Sequence, residues 1–129
     1  MLPCRMADDT PGSPRGHRLR IRILLGKGAP FGPGKADLLE AVRETGSIAA
    51  AGRRLGMSYQ RAHDLVSAMN SHFHEPVVAP AKGGSRGGGS HLTPFGEEVL
   101  AAYRRIEALA EIAAAEPLRW LETRLAPAP

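Results

Sequence analysis

The chain has 129 residues, 43% of them hydrophobic and 23% charged, which suits one soluble globular domain with tails and leaves no room for two full domains. Seventeen Lys and Arg against thirteen Asp and Glu give a net charge of +4, and fourteen of those bases are Arg; such an excess permits a polyanionic partner without demanding one. A single cysteine, Cys4, excludes an internal disulfide and a Cys-x-x-Cys zinc pair. No stretch nears eighteen apolar residues, so no membrane span is expected and a reducing cytoplasm is the simplest compartment.

Residues 1–16, MLPCRMADDTPGSPRG, carry no apolar core of a signal peptide and read as a disordered tail. The next stretch, HRLRIRILL, alternates: Leu19, Ile21, Ile23 and Leu25 share one face, and Arg18, Arg20 and Arg22 the other. Period two with β-branched residues predicts a strand with one basic, solvated face. GKGAPFGPG, residues 26–34, is dense in breakers and predicts a loop.

Three helices follow. Residues 35–45 place Leu38, Leu39 and Val42 at helical spacing, with Gly46 as the stop. Ser47 is a suitable N-cap for a helix over 48–55, closed by Gly56. Ser58 caps a third helix reaching about Phe73, with Ala62, Leu65, Val66 and Met69 on its apolar face. Residues 77–81 and 91–93 predict two short strands around a glycine run, 82–90, which becomes a hairpin tip. Thr93-Pro94 is an N-cap and N1 pair for a long helix over 95–116. In that helix Val99, Tyr103, Ile106, Ala110 and Ala113 repeat with heptad-like spacing, as a dimer seam would. Pro117 ends or kinks it, a short helix through Leu118, Leu121 and Leu125 follows, and 126–129 is a tail.

The informative unit is residues 46–70, two short helices joined by a turn at Gly56-Met57-Ser58. Ala49, Ala50 and Ala51 are small where two helices must approach. The second helix opposes its apolar face with Tyr59, Gln60, Arg61, His63 and Asp64. That is the pattern of a helix-turn-helix, whose second helix presents polar side chains to the major groove. Arg61 has the donors for a guanine edge and Gln60 the donor and acceptor for adenine. Ser58, Tyr59, Arg53 and Arg54 suit phosphates, as does the positive end of the second helix, and Ser47 and Ser90 join this set. In the tip, Lys82 and Arg86 supply charge. A solvated hairpin within an unrelated helical bundle is the plainer alternative.

Other chemistry finds less support. KGGSRGGGSHLTPFG, residues 82–96, holds neither a Walker phosphate loop nor G-x-G-x-x-G, so no nucleotide cofactor is expected. His72 and His74 form an H-x-H pair that caps the negative end of the third helix or, as the competing reading, holds a metal in a sensor; no second ligand pair sits at metal spacing, and no metal is assigned. No serine has nucleophile-elbow context, and the acids of the long helix read as a solvated face, so the chain is not expected to be an enzyme. Between Ser47 and Gly96 five bases meet two acids, whereas from Glu97 onward six acids meet four bases.

Taken in order, Gly46-Ser47-Ile48 with Ala49-Ala50-Ala51, Leu55-Gly56-Met57-Ser58-Tyr59, Ala68-Met69-Asn70, and the glycine run closed by His91-Leu92-Thr93-Pro94-Phe95-Gly96 resemble the N-terminal DNA-binding domain of the molybdate-responsive regulator family, ModE type, over about residues 19–115. That domain is related to LysR-type regulators. The resemblance implies an α+β, mostly helical winged helix-turn-helix over 17–96 and a long dimerisation helix region over 97–125. It implies a homodimeric transcription regulator on an inverted repeat of duplex DNA, with the helix about 58–73 in the major groove and the wing 82–90 on the backbone or in the minor groove. Full-length members continue into a molybdate-binding region; ending at Pro129, this chain is expected to be a stand-alone domain, which argues against direct oxyanion sensing. A winged-helix module that binds protein is the remaining alternative.

Overall fold

A computed structural model describes residues 19–81 and 89–127. The elements run β1 (Ile23–Leu25), β2 (Ala29–Phe31), α1 (Pro33–Thr45), α2 (Ile48–Arg54), α3 (Tyr59–His72), β3 (Val78–Pro80), β4 (Ser90–Leu92), α4 (Pro94–Ala113) and α5 (Ala115–Glu122). The architecture is α+β and mostly helical, with two small antiparallel sheets, β1–β2 and β3–β4. One compact unit comprises Ile21–Arg104; α4 continues beyond it into a second, which includes Arg105 onward.

The first unit is built on α1. Ala36, Leu38, Leu39 and Val42 are fully buried, and Ala41 nearly so. Each leucine removed from water contributes about 1.5–3 kcal/mol. Gly46 ends α1 in the left-handed region (φ +76°), and its N–H donates to the Val42 carbonyl. At the other end Lys35 Nζ donates to the Pro30 carbonyl at 2.6 Å, tying α1 to β2. Partial burial, with the Arg22 charge second, lowers the Lys35 pKa below the ordinary lysine value.

The segment expected as a loop, 26–34, instead returns as β2, pairing Ile23 with Phe31 and Leu25 with Ala29. Gly26 (φ +55°) and Gly28 (φ +95°) take the left-handed conformations that reverse the chain. Of the expected strand over 17–25, whose first two residues lie outside those described, only Ile23–Leu25 form β1. Leu25, expected on the inner face, is exposed, and the buried residue of the hairpin is Phe31. Phe31 packs on Tyr103 at 5.3 Å between ring centres and on Phe73 at 6.3 Å; Phe73 meets Phe95 at 5.6 Å. Tyr103 also donates its hydroxyl proton to the Ile21 carbonyl.

The first turn of α4 locks against the chain leading into β3. Thr93 Oγ1 accepts from Gly96 N–H, as an N-cap, and donates to the Pro76 carbonyl. A Cβ at Gly96 would lie 2.1 Å from the Val77 carbonyl oxygen, so this contact excludes a side chain. Further along, Arg104 reaches Asp37 and Glu40 of α1. Val99 packs against the same core, and Tyr103 is 2% exposed. Two members of the expected dimer seam therefore serve the chain's own core, Tyr103 fully.

In the second unit α4 ends at Ala113 and α5 begins at Ala115. The expected break at Pro117 falls three residues earlier, because a proline ring clashes with the carbonyl four residues before it, that of Ala113. Pro117 itself sits in the first turn of α5, where a missing N–H costs little. This unit exposes Ile106, Leu109 and Ile112 along α4, and Trp120, Leu121 and Leu125 after it. The Arg124 guanidinium lies 4.6 Å from the Trp120 ring centre. Among the described residues no helix is long and apolar enough to cross a membrane.

Candidate nucleic-acid interface

Two serine caps begin the two helices of the motif. Ser47 Oγ accepts from Ala50 N–H at 3.0 Å, and Ser58 Oγ accepts from Arg61 N–H at 3.1 Å. Each cap of this kind contributes about 1 kcal/mol. Between the helices, Gly56 takes φ +74°. Met57 N–H folds back to the Gly52 carbonyl at 2.9 Å. The close crossing is made by Gly52 rather than by Ala49 and Ala50. A Cβ at Gly52 would stand 3.1 Å from the Ala62 Cβ and 3.3 Å from the Met57 carbonyl. Of the three alanines, Ala51 is the one fully buried.

With Ala62, Val66 and Met69 turned to the core, the N-terminal half of α3 is open to solvent. Ser58, Tyr59, Gln60, Arg61, His63 and Asp64 are all exposed. The Arg61 guanidinium has no partner among the described residues, nor has that of Arg53. Arg54 instead pairs with Glu44, both about half exposed. Such a surface pair holds by no more than about 1 kcal/mol, so a phosphate would compete with it readily. The His63 ring lies against Tyr59 at 5.7 Å. Gln60 Nε2 donates to Asp64 Oδ1 at 2.8 Å, one turn along the helix.

The base of the expected wing is fixed to this motif from two sides. Val78 pairs with Leu92, Ala79 with His91, and Pro80 with Ser90. Ser90 N–H donates to the Gly46 carbonyl at 2.9 Å, seating β4 on the turn between α1 and α2. Asn70, in the last turns of α3, holds β3: its Oδ1 accepts from Val77 N–H (2.8 Å) and Val78 N–H (3.2 Å), and its Nδ2 donates to the Val78 carbonyl (3.1 Å). One side chain thus connects the exposed helix to the strand that leads into the glycine run. Lys82 and Arg86 lie outside the described residues.

Asn70 and Gly96 were legible only as letters of the motif. A lone polar residue near a helix end gives no sign of which strand it will bind. His72 is the last residue of α3 and His74 lies just beyond it, both exposed. The His74 ring rests on Phe95 at 5.1 Å and its Nδ1 lies 3.6 Å from Glu75, and no group of three His, Cys, Asp or Glu side chains forms among the described residues.

Comparison with known proteins places this arrangement. No protein-family model matches the chain. It is 47% identical over 97 residues to the molybdenum-pterin-binding protein MopB of Rhodobacter capsulatus, which covers 75% of this chain and 36% of MopB. MopA of the same organism is 40% identical over 81 residues, 62% of this chain and 31% of MopA. The DNA-binding transcriptional dual regulator ModE of Escherichia coli K12 is 34% identical over 71 residues, 55% and 27% of the two chains. The chain therefore spans about a third or less of the curated relatives it matches. Among solved structures, that of the CbnR_DBD–DNA complex aligns with TM-score 0.53 and 25% identity, over 68% of this chain and 95% of that one. Full-length CbnR complexed with its target DNA aligns with TM-score 0.50 and 26% identity, over 65% and 27%. The relatives thus comprise molybdenum-pterin-binding proteins and ModE regulators, and the fold resembles LysR-type winged-helix DNA-binding domains.

Proposed function

We propose that the chain is a sequence-specific duplex-DNA-binding regulator of transcription, acting as a homodimer. The observation that carries this reading is the exposed, serine-capped first half of α3, with the Arg61 and Arg53 guanidiniums beside it unpaired among the described residues, on a fold like that of the CbnR_DBD–DNA complex. In this reading α3 enters the major groove and its side chains read base edges. The helix N-termini and Arg53 contact phosphates, with Arg54 recruited from Glu44. The glycine run with Lys82 and Arg86 lies along the backbone or in the minor groove.

Dimerisation runs through the apolar surface of the second unit. Ile106, Leu109 and Ile112 recur every three residues and are 40–74% exposed. With Ala110 and Ala113 beside them they form a stripe that a second copy would bury. Two α3 helices on a two-fold axis then read an inverted repeat with half-sites roughly 34 Å apart. Such a protein has no catalytic role and needs no bound cofactor. Fluorescence anisotropy on random-sequence duplex across a salt series tests the reading. Affinity falling linearly in log–log form with salt is expected. Absence of binding at low salt would leave the protein-interaction reading, and binding that required added zinc or copper would favour a sensor.

A further inference from the structure

At about 100° per residue, the side of α3 opposite Ala62, Val66 and Met69 is held by Gln60, Asp64, Ser67 and Ser71, all exposed. Arg61 lies to one side of this strip. The centre of the exposed face is therefore the hydrogen-bonded pair Gln60–Asp64. Asp64 is also the sole acid between Ser47 and His74, a segment that holds Arg53, Arg54 and Arg61. An anion there opposes any polyanionic partner.

Resting on the DNA-binding reading, we propose that Asp64 is a specificity-determining residue, which gives up affinity for duplex DNA in general to select bases. Two features of the geometry support it. First, Asp64 Oδ1 accepts a hydrogen bond from one N–H of the Gln60 amide at 2.8 Å and so settles which end of the amide is which. The second Nε2 proton and Oε1 remain, the donor and acceptor that adenine N7 and N6 require. Second, His63 Nδ1 approaches the same oxygen, Oδ1, at 3.9 Å, and Oδ2 has no partner among the described residues. That oxygen is suited to accept a hydrogen bond from an exocyclic amine, cytosine N4 or adenine N6. Facing guanine O6 or thymine O4 it sets lone pair against lone pair. Selection by repulsion of the wrong partner is a general route to specificity.

The competing account is a solvated i, i+4 pair that only steadies the helix by a few tenths of a kcal/mol. Two substitutions and a double variant separate the accounts. Bound duplexes are selected from a random pool with the intact chain, and affinities for the selected and a random duplex are measured by anisotropy near 0.1 M salt. Asp64→Asn removes the charge and keeps an oxygen for Gln60. It should bind random duplex about threefold more tightly while keeping the adenine preference. Asp64→Ala should gain similarly on random duplex, but its ratio of selected to random affinity should fall about tenfold or more, with the adenine preference lost. In a Gln60→Ala background, Asp64→Ala should cause no further loss at the adenine position.

The proposal is overturned if Asp64→Ala weakens both duplexes alike, or if its base profile matches that of the unaltered chain. If the unaltered chain itself binds neither duplex, the DNA-binding reading fails and the proposal with it, an outcome distinct from the other two. Far-UV circular dichroism of each variant checks that α3 is intact.

Discussion

Asn70→Ala should separate the wing strand from the helix that supports it. The substitution removes two accepted hydrogen bonds, from Val77 and Val78 N–H, and one donated to the Val78 carbonyl. Val77 is fully buried and Val78 is 5% exposed, so water cannot easily replace the lost oxygen. A typical hydrogen bond contributes about 0.5–1.5 kcal/mol, and a buried amide left without an acceptor costs about 1–3 kcal/mol. Partial relaxation of an exposed-edge segment lowers the total, and we expect a loss of about 2–3 kcal/mol. Urea denaturation followed by far-UV circular dichroism is the suitable assay, because it follows the helices that this unit contributes. The midpoint should fall with the slope unchanged. Hydrogen exchange at the Val77 and Val78 amides should accelerate more than at Leu38 or Leu39. A change below about 0.5 kcal/mol with unchanged exchange would refute the view that Asn70 holds the strand.

Gly96→Ala should destabilise the chain by about 3 kcal/mol, since the new methyl would displace the Val77 backbone, read as a drop in thermal midpoint. Arg61→Ala should weaken binding to the selected duplex by about 1–3 kcal/mol and relax one base position, measured by anisotropy on duplexes varied one pair at a time. Arg86→Ala should weaken binding to all duplexes alike and shallow the salt slope by about one. Ile112→Asp, at a residue 74% exposed, should leave the fold intact and shift the chain toward monomer in sedimentation velocity.

The helices could be read because their signals are local. Ser47 and Ser58 cap where the sequence put them, Gly46 closes α1, and Thr93 with Pro94 opens α4. The polar half of α3 followed from period alone. What escaped depends on partners distant in sequence. The β1–β2 hairpin hid in a stretch of breakers, since Gly26 and Gly28 mark a turn without saying that Phe31 returns to the core. Tyr103 fits a heptad seam by spacing, but its ring is taken by Phe31 and its hydroxyl by the Ile21 carbonyl, 82 residues away. The same limit applies to Asn70 and Gly96, whose contacts join α3 and α4 to the start of β3. At Gly52 the signal is present, a glycine at a helix crossing, but Ala49, Ala50 and Ala51 beside it carry the same small-residue signal.

The central claim, that α3 reads duplex DNA from a two-fold dimer, is tested most directly by selecting bound duplexes from a random pool with the full chain. The account predicts enrichment of an inverted repeat whose half-sites lie roughly one helical turn apart, with the enriched bases lost when Arg61 or Gln60 is replaced by alanine. A pool that emerges without any shared sequence, or one whose profile ignores both substitutions, would contradict it.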